Sequence, residues 1–195
     1  MSFRRARRRR WTAVARCLQA AAVALAGMPA VASTPVATAA TTELRVYFNH
    51  AQRAGTVDDC AIVFALPRQV PRTEGVAAAA LRQLFAGPTE AERAQGYRSP
   101  FSAATAGLLK RLRIEHGTAY VDLNDLRAQL AGASSSCGAA EFGMQVERTL
   151  RQFPTVRRVI LAIDGDPRRF YEWIGQDCDL RNDHCDAAPF RTGAR

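Results

Sequence analysis

The sequence predicts an α+β domain: a two-layer sandwich with helices on one face of a mostly antiparallel sheet, in the order β-β-α-α-β-β-α-β. Three observations lead there: stretches of apolar/polar alternation, two longer stretches with apolar residues at helical spacing, and a helix-to-helix turn legible residue by residue. That turn is Leu81 to Glu92, L-R-Q-L-F-A-G-P-T-E-A-E. Ala77, Ala80, Leu81, Leu84 and Phe85 recur at helical spacing, and Gly87 then Pro88 stop that helix in the order a C-terminus uses. Thr89 opens the next helix, with its hydroxyl placed to accept from the backbone three residues on while Glu92 reaches back, a capping box.

In chain order, Leu44, Val46 and Phe48 alternate with Arg45, Tyr47 and Asn49, a half-buried strand. Residues 49–59 form a polar loop. Ala61 to Leu66 is apolar on both faces, as a central strand would be, with Pro67 and Pro71 ending it. A helix from about Glu74 to Ala86 and the capped helix from about Glu90 to Ala94 follow. Tyr97 to Gly107 reads as a loop pinned by Pro100 and Phe101. Leu112 and Ile114, then Ala119, Val121 and Leu123, alternate with polar residues around His116-Gly117, a hairpin. Asp125 to Leu130 is a turn or two of helix, and Gly132 to Ser136 a connector whose serines suit a cap. Ala139, Phe142, Gly143, Val146, Leu150 and Phe153 mark a second long helix, stopped at Pro154. In the last strand, Val156 to Ile163, residues Val159, Leu161 and Ile163 point opposite to Arg158, Ile160 and Ala162. Asp164-Gly165-Asp166 closes it, Phe170 to Ile174 packs back as a short helix or extended segment, and the tail from Ala187 to Arg195 is expected to be disordered.

Residues 1–32 read as a secretory signal peptide, 33–42 as a linker, 43–176 as the domain and 177–195 as a cysteine-containing tail. Seven arginines at or before Arg16 precede the apolar run Leu18 to Met28, and Ala30-Val31-Ala32 offers a cleavage site, with Ala39 as the second choice. A membrane enters only if that leader is retained. Cys17 does not suit lipidation, because Arg16 precedes it and the apolar run follows it. The whole chain carries +9; removing residues 1–32 takes seven of 27 basic residues and none of the 18 acidic ones, leaving 20 against 18, or +2. Nucleic acid is therefore a poor partner for the exported form.

Beyond the leader, Cys60, Cys137, Cys178 and Cys185 are an even count in an exported chain, so disulfides are the first reading. Of the three possible connectivities, Cys60 with Cys137 and Cys178 with Cys185 is favoured, since the latter two are close and lie together beyond the last core strand. The long bridge would stabilise by roughly 4 kcal/mol and the short one by roughly 2.5 in the chain-entropy picture. The metal reading of Asp177 to Asp186 uses Cys178, His184 and Cys185, but adjacent His184 and Cys185 chelate one ion poorly. No cofactor is called for.

Three segments together resemble the sporulation and spore-germination domain called GerMN: L-F-A-G-P-T-E-A-E-R-A-Q-G at Leu84 to Gly96, G-T-A-Y-V-D-L at Gly117 to Leu123, and L-R-Q-F-P-T-V-R-R-V-I-L-A-I-D-G at Leu150 to Gly165. The resemblance covers about Leu44 to Gly165. It implies a small domain exported to the cell envelope, a structural or binding module without known catalytic residues, similar in fold to ring-building domains of envelope complexes. This chain departs in having one copy, no lipid-anchor cysteine and four cysteines of its own.

A nucleophile elbow, a Walker loop, H-E-x-x-H and G-x-G-x-x-G are absent. Two function classes remain. One is an exported, non-catalytic envelope module that binds an envelope protein or an anionic cell-wall polymer; the other is a secreted hydrolase using Asp164, Asp166 or His184. For the module, the strand residues expected to face away from the helices are Arg45 and Tyr47, Arg111, Arg113 and Glu115, Tyr120 and Asp122, and Arg158 with Ile160. Guanidinium groups pair with carboxylate or phosphate and stack on tyrosine, so Arg45, Tyr47, Arg111, Arg113, Tyr120 and Arg158 are the candidate partner-binding residues.

Overall fold

The computed structural model describes residues 40–53, 59–178 and 184–191, so the expected leader and most of the linker lie outside the described residues. The first strand, β1 (Thr41–His50), begins inside the stretch expected as linker and pairs antiparallel with β2 (Phe64–Pro71). The alternation of β1 holds through Phe48, with Leu44, Val46 and Phe48 buried, and breaks at the strand end, where Asn49, expected on the polar face, and His50 are buried too. β2 differs from expectation. It runs through Pro67 to Pro71 rather than stopping there, and it is an edge strand, with β1 central. An edge strand tolerates proline because one row of its N–H groups needs no ladder partner.

Helix α1 (Val76–Phe85) buries Ala80, Leu81, Leu84 and Phe85. Gly87 follows with φ 75°, and a Cβ there would lie 2.3 Å from the Phe101 carbonyl oxygen. Glycine is thus required at that turn twice over, by conformation and by space. Helix α2 (Glu90–Ala94) starts with the expected box: Thr89 N donates to Glu92 Oε2 at 2.7 Å and Glu92 N to Thr89 Oγ1 at 3.3 Å. Glu92 also receives both guanidinium arms of Arg68, so the cap is tied to β2. Burial opposes ionisation of Glu92, but the Arg68 and Thr89 hydrogen bonds prevail and hold its carboxyl below the usual range.

The expected loop after Gly96 contains a short strand, β3 (Tyr97–Arg98), which adds to β1 opposite Asn49 and His50. β4 (Leu109–Glu115) and β5 (Thr118–Leu123) form the hairpin, with His116 and Gly117 at φ 50° and 85°, the two positive values a tight two-residue turn needs. Helix α3 (Ser136–Leu150), capped by Ser135, then crosses over so that β6 (Arg158–Ile163) lies parallel to β5. Parallel neighbours require such a crossover.

The strands therefore make two three-stranded sheets, β2-β1-β3 and β4-β5-β6, rather than the one sheet expected. The α+β class and the largely antiparallel pairing hold. α1 packs on β1 and β4, and α3 on β1 and β6, so these two helices form one layer that both sheets share. Aromatic rings thread the core: Phe85 to Phe101 and Phe101 to Phe142 each at 4.9 Å between centroids, and Phe142 to Phe170 at 5.4 Å. Phe170 comes from α4 (Pro167–Trp173), which runs along β6, and its neighbour Tyr171 accepts from Leu161 N at 3.3 Å.

Truncating this chain of rings should be costly. Phe142→Ala should lower unfolding free energy by about 3–5 kcal/mol and Leu84→Ala by about 2–5 kcal/mol, read from urea midpoints. Gly87→Ala should also destabilise despite its small size; a midpoint equal to wild type would refute the close approach to Phe101.

Candidate functional site

The β6–α4 turn gathers the carboxylates singled out in the sequence. Asp164 and Gly165 take φ 51° and 77°, folding the chain back at the strand end. Asp164 accepts from Lys110 Nζ at 2.8 Å and from Arg169 at 3.2 Å. Arg169 also reaches Asp125 at 3.0 Å, and Arg127 forks Asp125 at 2.8 and 2.7 Å. A run of alternating charges thus links the start of β4, the turn, α4 and the segment after β5. The Lys110 hydrogen bond, then the charges of Lys110 and Arg169, hold the Asp164 carboxyl below its ordinary range. The Arg127 hydrogen bond lowers Asp125 to about 2. A general acid needs the opposite shift. Asp166 Oδ1 accepts from Arg168 N at 2.9 Å and caps α4. The third hydrolase candidate, His184, packs its ring 4.4 Å from that of Tyr171.

The second polar group lies on the face of β4-β5-β6 opposite the pleat of Ala119, Val121 and Leu123, which are in the core. There Arg111 pairs across the strands with Asp122, Arg113 with Tyr120, and Glu115 with Thr118. Asp122 is 4% exposed and accepts from Gly165 N at 2.6 Å, joining this face to the turn. Arg113 donates to Glu115 at 2.7 Å and stands 5.2 Å above the Tyr120 ring.

This face is covered, contrary to the expectation that the tail is disordered: its described part, through Arg191, is ordered against the sheet. Helix α5 (Ala188–Arg191) sits on it, started by Asp186, whose Oδ1 accepts from Ala188 N at 2.9 Å. Phe190 is 4% exposed, with its ring perpendicular to Tyr120 at 5.7 Å. The guanidinium of Arg111 donates to the Phe190 carbonyl and that of Arg113 to the Pro189 carbonyl. The last carbonyls of a helix have no partner within it, and cationic donors are the natural complement. The segment is anchored by the Cys178–Cys185 bridge, Cα–Cα 5.5 Å. Between α5 and the β6–α4 turn runs a cleft of about 1000 Å³, with Lys110, Asp164 and Arg168 on one side, Asp186 and Arg191 on the other, and Arg111 and Asp122 also lining it.

The six expected partner residues do not form one surface. Arg111, Arg113 and Tyr120 come together, and Arg158 lies on the same sheet, opposite Thr118. Arg45 and Tyr47 belong to the other sheet. The Arg45 main chain is bracketed by Gln152, at 2.9 Å to its N–H and 2.7 Å to its carbonyl, and Tyr47 lies beneath Arg148. Ile160, expected on the open face, is buried. Missed altogether were Phe190, a lone aromatic in a polar tail, and Lys110, the only lysine in the chain. The signal in each case is compositional: one lysine in 195 residues, and one phenylalanine among the polar residues of the tail.

Fold and surface together define a small α+β domain: two three-stranded sheets under one helical layer, with arginines and tyrosine on the outer face of β4-β5-β6. The sequence pattern of the Germane family, described as sporulation and spore germination, matches residues 45–169, and the chain belongs to that family. No curated protein matches. Among solved structures, the chain is similar to the tandem GerMN domains of the sporulation protein GerM from Bacillus subtilis, at 22% identity over 65% of this chain and 40% of that one, with a TM-score of 0.44. It is also similar to the first GerMN domain of that protein, at 21% identity over 64% and 84%, with a TM-score of 0.45. The chain thus spans about two fifths of the tandem-domain structure.

Two measurements check this site. Peptide mapping without reduction should recover Cys60 joined to Cys137 and Cys178 joined to Cys185, with no alkylated thiol among them; any crossed pair would overturn both placements. Carboxyl NMR should find Asp125 titrating near 2, well below the ordinary 3.8. Because its folded value lies below its unfolded one, the stability it contributes is present above the unfolded value and is lost as pH falls toward 2. An Asp125 midpoint near 3.8 would refute the Arg127 fork.

Proposed function

We propose that this protein is an exported, non-catalytic binding module of the cell envelope, and that it engages a protein partner through the outer face of β4-β5-β6. Membership of the Germane family supports the module class. The observation that carries export is that Cys60, Cys137, Cys178 and Cys185 are all paired, which fits an oxidising compartment and the arginine-rich leader of the sequence. A protein partner fits better than an anionic wall polymer, because the two best-placed guanidinium groups of the face already hold peptide carbonyls. Nucleic acid fits poorly with an exported chain near neutral charge. The hydrolase alternative has less support: Asp164 is held ionised by Lys110 and Arg169, Asp166 is used as a helix cap, and His184 lies against Tyr171.

The test is recovery of partners from crosslinked envelopes with the full chain. The triple variant Arg111→Glu, Arg113→Glu, Arg158→Glu should retain its cooperative unfolding and lose the crosslinked protein. Undiminished recovery by the folded variant would move the partner site elsewhere, and recovery of wall polymer alone would replace the protein partner.

A further inference from the structure

The segment seated on β4-β5-β6 shows what that face can recognise. Arg111 and Arg113 donate to main-chain carbonyls, which every peptide carries, so this pair reads the end of a helical turn rather than an acidic side chain. The Tyr120 ring reads the aromatic side chain beside those carbonyls. α5 is only four residues long, and two residues, Asp186 and Ala187, separate it from the Cys178–Cys185 bridge. That short tether keeps the segment beside the face. A tethered segment competes at an effective concentration of about millimolar without needing a strong interface. Among the described residues, the cleft of about 1000 Å³ extends beyond α5 to Lys110 and Arg168.

Resting on the reading of this face as a protein-binding surface, we propose that it is a peptide-docking groove in which α5 is the resident occupant. Its external ligand is a segment of a partner protein that ends a helical turn, with an aromatic residue in the place of Phe190 and uncapped carbonyls beside it. The ligand displaces α5, and the resident segment sets the threshold a partner must exceed. The mixed charges of that cleft, Lys110 and Arg168 beside Asp164 and Asp186, then contact ligand residues that α5 has no counterpart for.

The experiment uses the full chain with both bridges formed and a blocked synthetic peptide of residues 186–191, D-A-A-P-F-R, followed by amide NMR. In Phe190→Ala the resident segment loses its anchor, and the amides of Arg111, Arg113 and Tyr120 should shift saturably with added peptide. Wild type should need at least about tenfold more peptide, because its own segment competes. A peptide with alanine for phenylalanine, and the variant Phe190→Ala, Arg111→Glu, Arg113→Glu, should each bind at least about tenfold more weakly. Cys178→Ser with Cys185→Ser provides a second route to an open groove by lengthening the tether, and should bind peptide better than wild type. No shift in either opened variant while its spectrum stays dispersed, or equal binding by wild type and opened variants, overturns the proposal. A dimer of the bridge variant that disappears with Phe190→Ala would make a second copy the occupant and overturn it as well. Absent peptide binding alongside retained envelope capture discards the groove and leaves the module standing; intact peptide binding with no envelope capture does the reverse.

Discussion

Gln145 is fully buried in the middle of α3, and the placement of much of the domain depends on how its amide is satisfied. Its Nε2 donates to Asn49 Oδ1 at 2.6 Å, and its Oε1 accepts from Ser99 Oγ at 2.6 Å. Asn49, itself 2% exposed, donates to the carbonyls of Cys60 and Ile62 at 2.7 and 3.0 Å. Four segments, the end of β1, the loop before β2, the stretch after β3 and α3, are thereby fixed by directional bonds rather than by apolar contact. A buried amide left without partners costs about 1–3 kcal/mol, so the network favours one arrangement of these segments over nearby alternatives. The Cys60–Cys137 bridge, spanning 77 residues, adds a covalent tie at the same place. Because α3 packs on both β1 and β6, fixing it against β1 also fixes where β6 can lie.

Gly138 shows how closely that position is set. A Cβ there would lie 1.9 Å from the Gly132 carbonyl oxygen, so the first turn of α3 packs directly on the backbone of the preceding connector. Gly87 plays the same part against Phe101 at the end of α1. The A-G-P-T-x-x-E turn therefore has a packing meaning in this chain: the glycine admits a neighbouring main chain, and the glutamate caps α2 while gripping Arg68 of β2.

What the sequence made legible follows from which forces leave a periodic mark. The α1 stripe, the Thr89 cap, the His116-Gly117 hairpin and α3 each leave one, and each is present. β2 runs past Pro67, which the sequence pattern marks as a stop, because an edge strand can carry proline. β3 is two residues long, too short to show alternation, and exists because Asn49 and His50 of β1 offer it a ladder. Gln145, Asn49 and Thr149 are polar types inside a core, which hydropathy assigns to the surface. The split into two sheets depends on contacts distant in sequence. On the outer face, alternation placed Arg111, Arg113 and Tyr120 together correctly. It gave no sign that Arg45 and Tyr47 sit on a separate sheet, or that Phe190 returns from beyond a disulfide to cover the face.

The order in which the cysteines pair bears on how such a chain is made. Cys60 is joined to the next cysteine along the chain, Cys137, and Cys178 to the next after it, Cys185. A polypeptide threaded N-terminus first into an oxidising space presents these thiols in that sequence, and joining each one to the next arrival yields the native set. Crossed pairings would need Cys60 or Cys137 to stay reduced until the tail had emerged. Under the proposed export, pairing each cysteine with the next along the chain calls for oxidation alone, with no exchange of wrong partners, and the first bridge can close before β6 has been delivered.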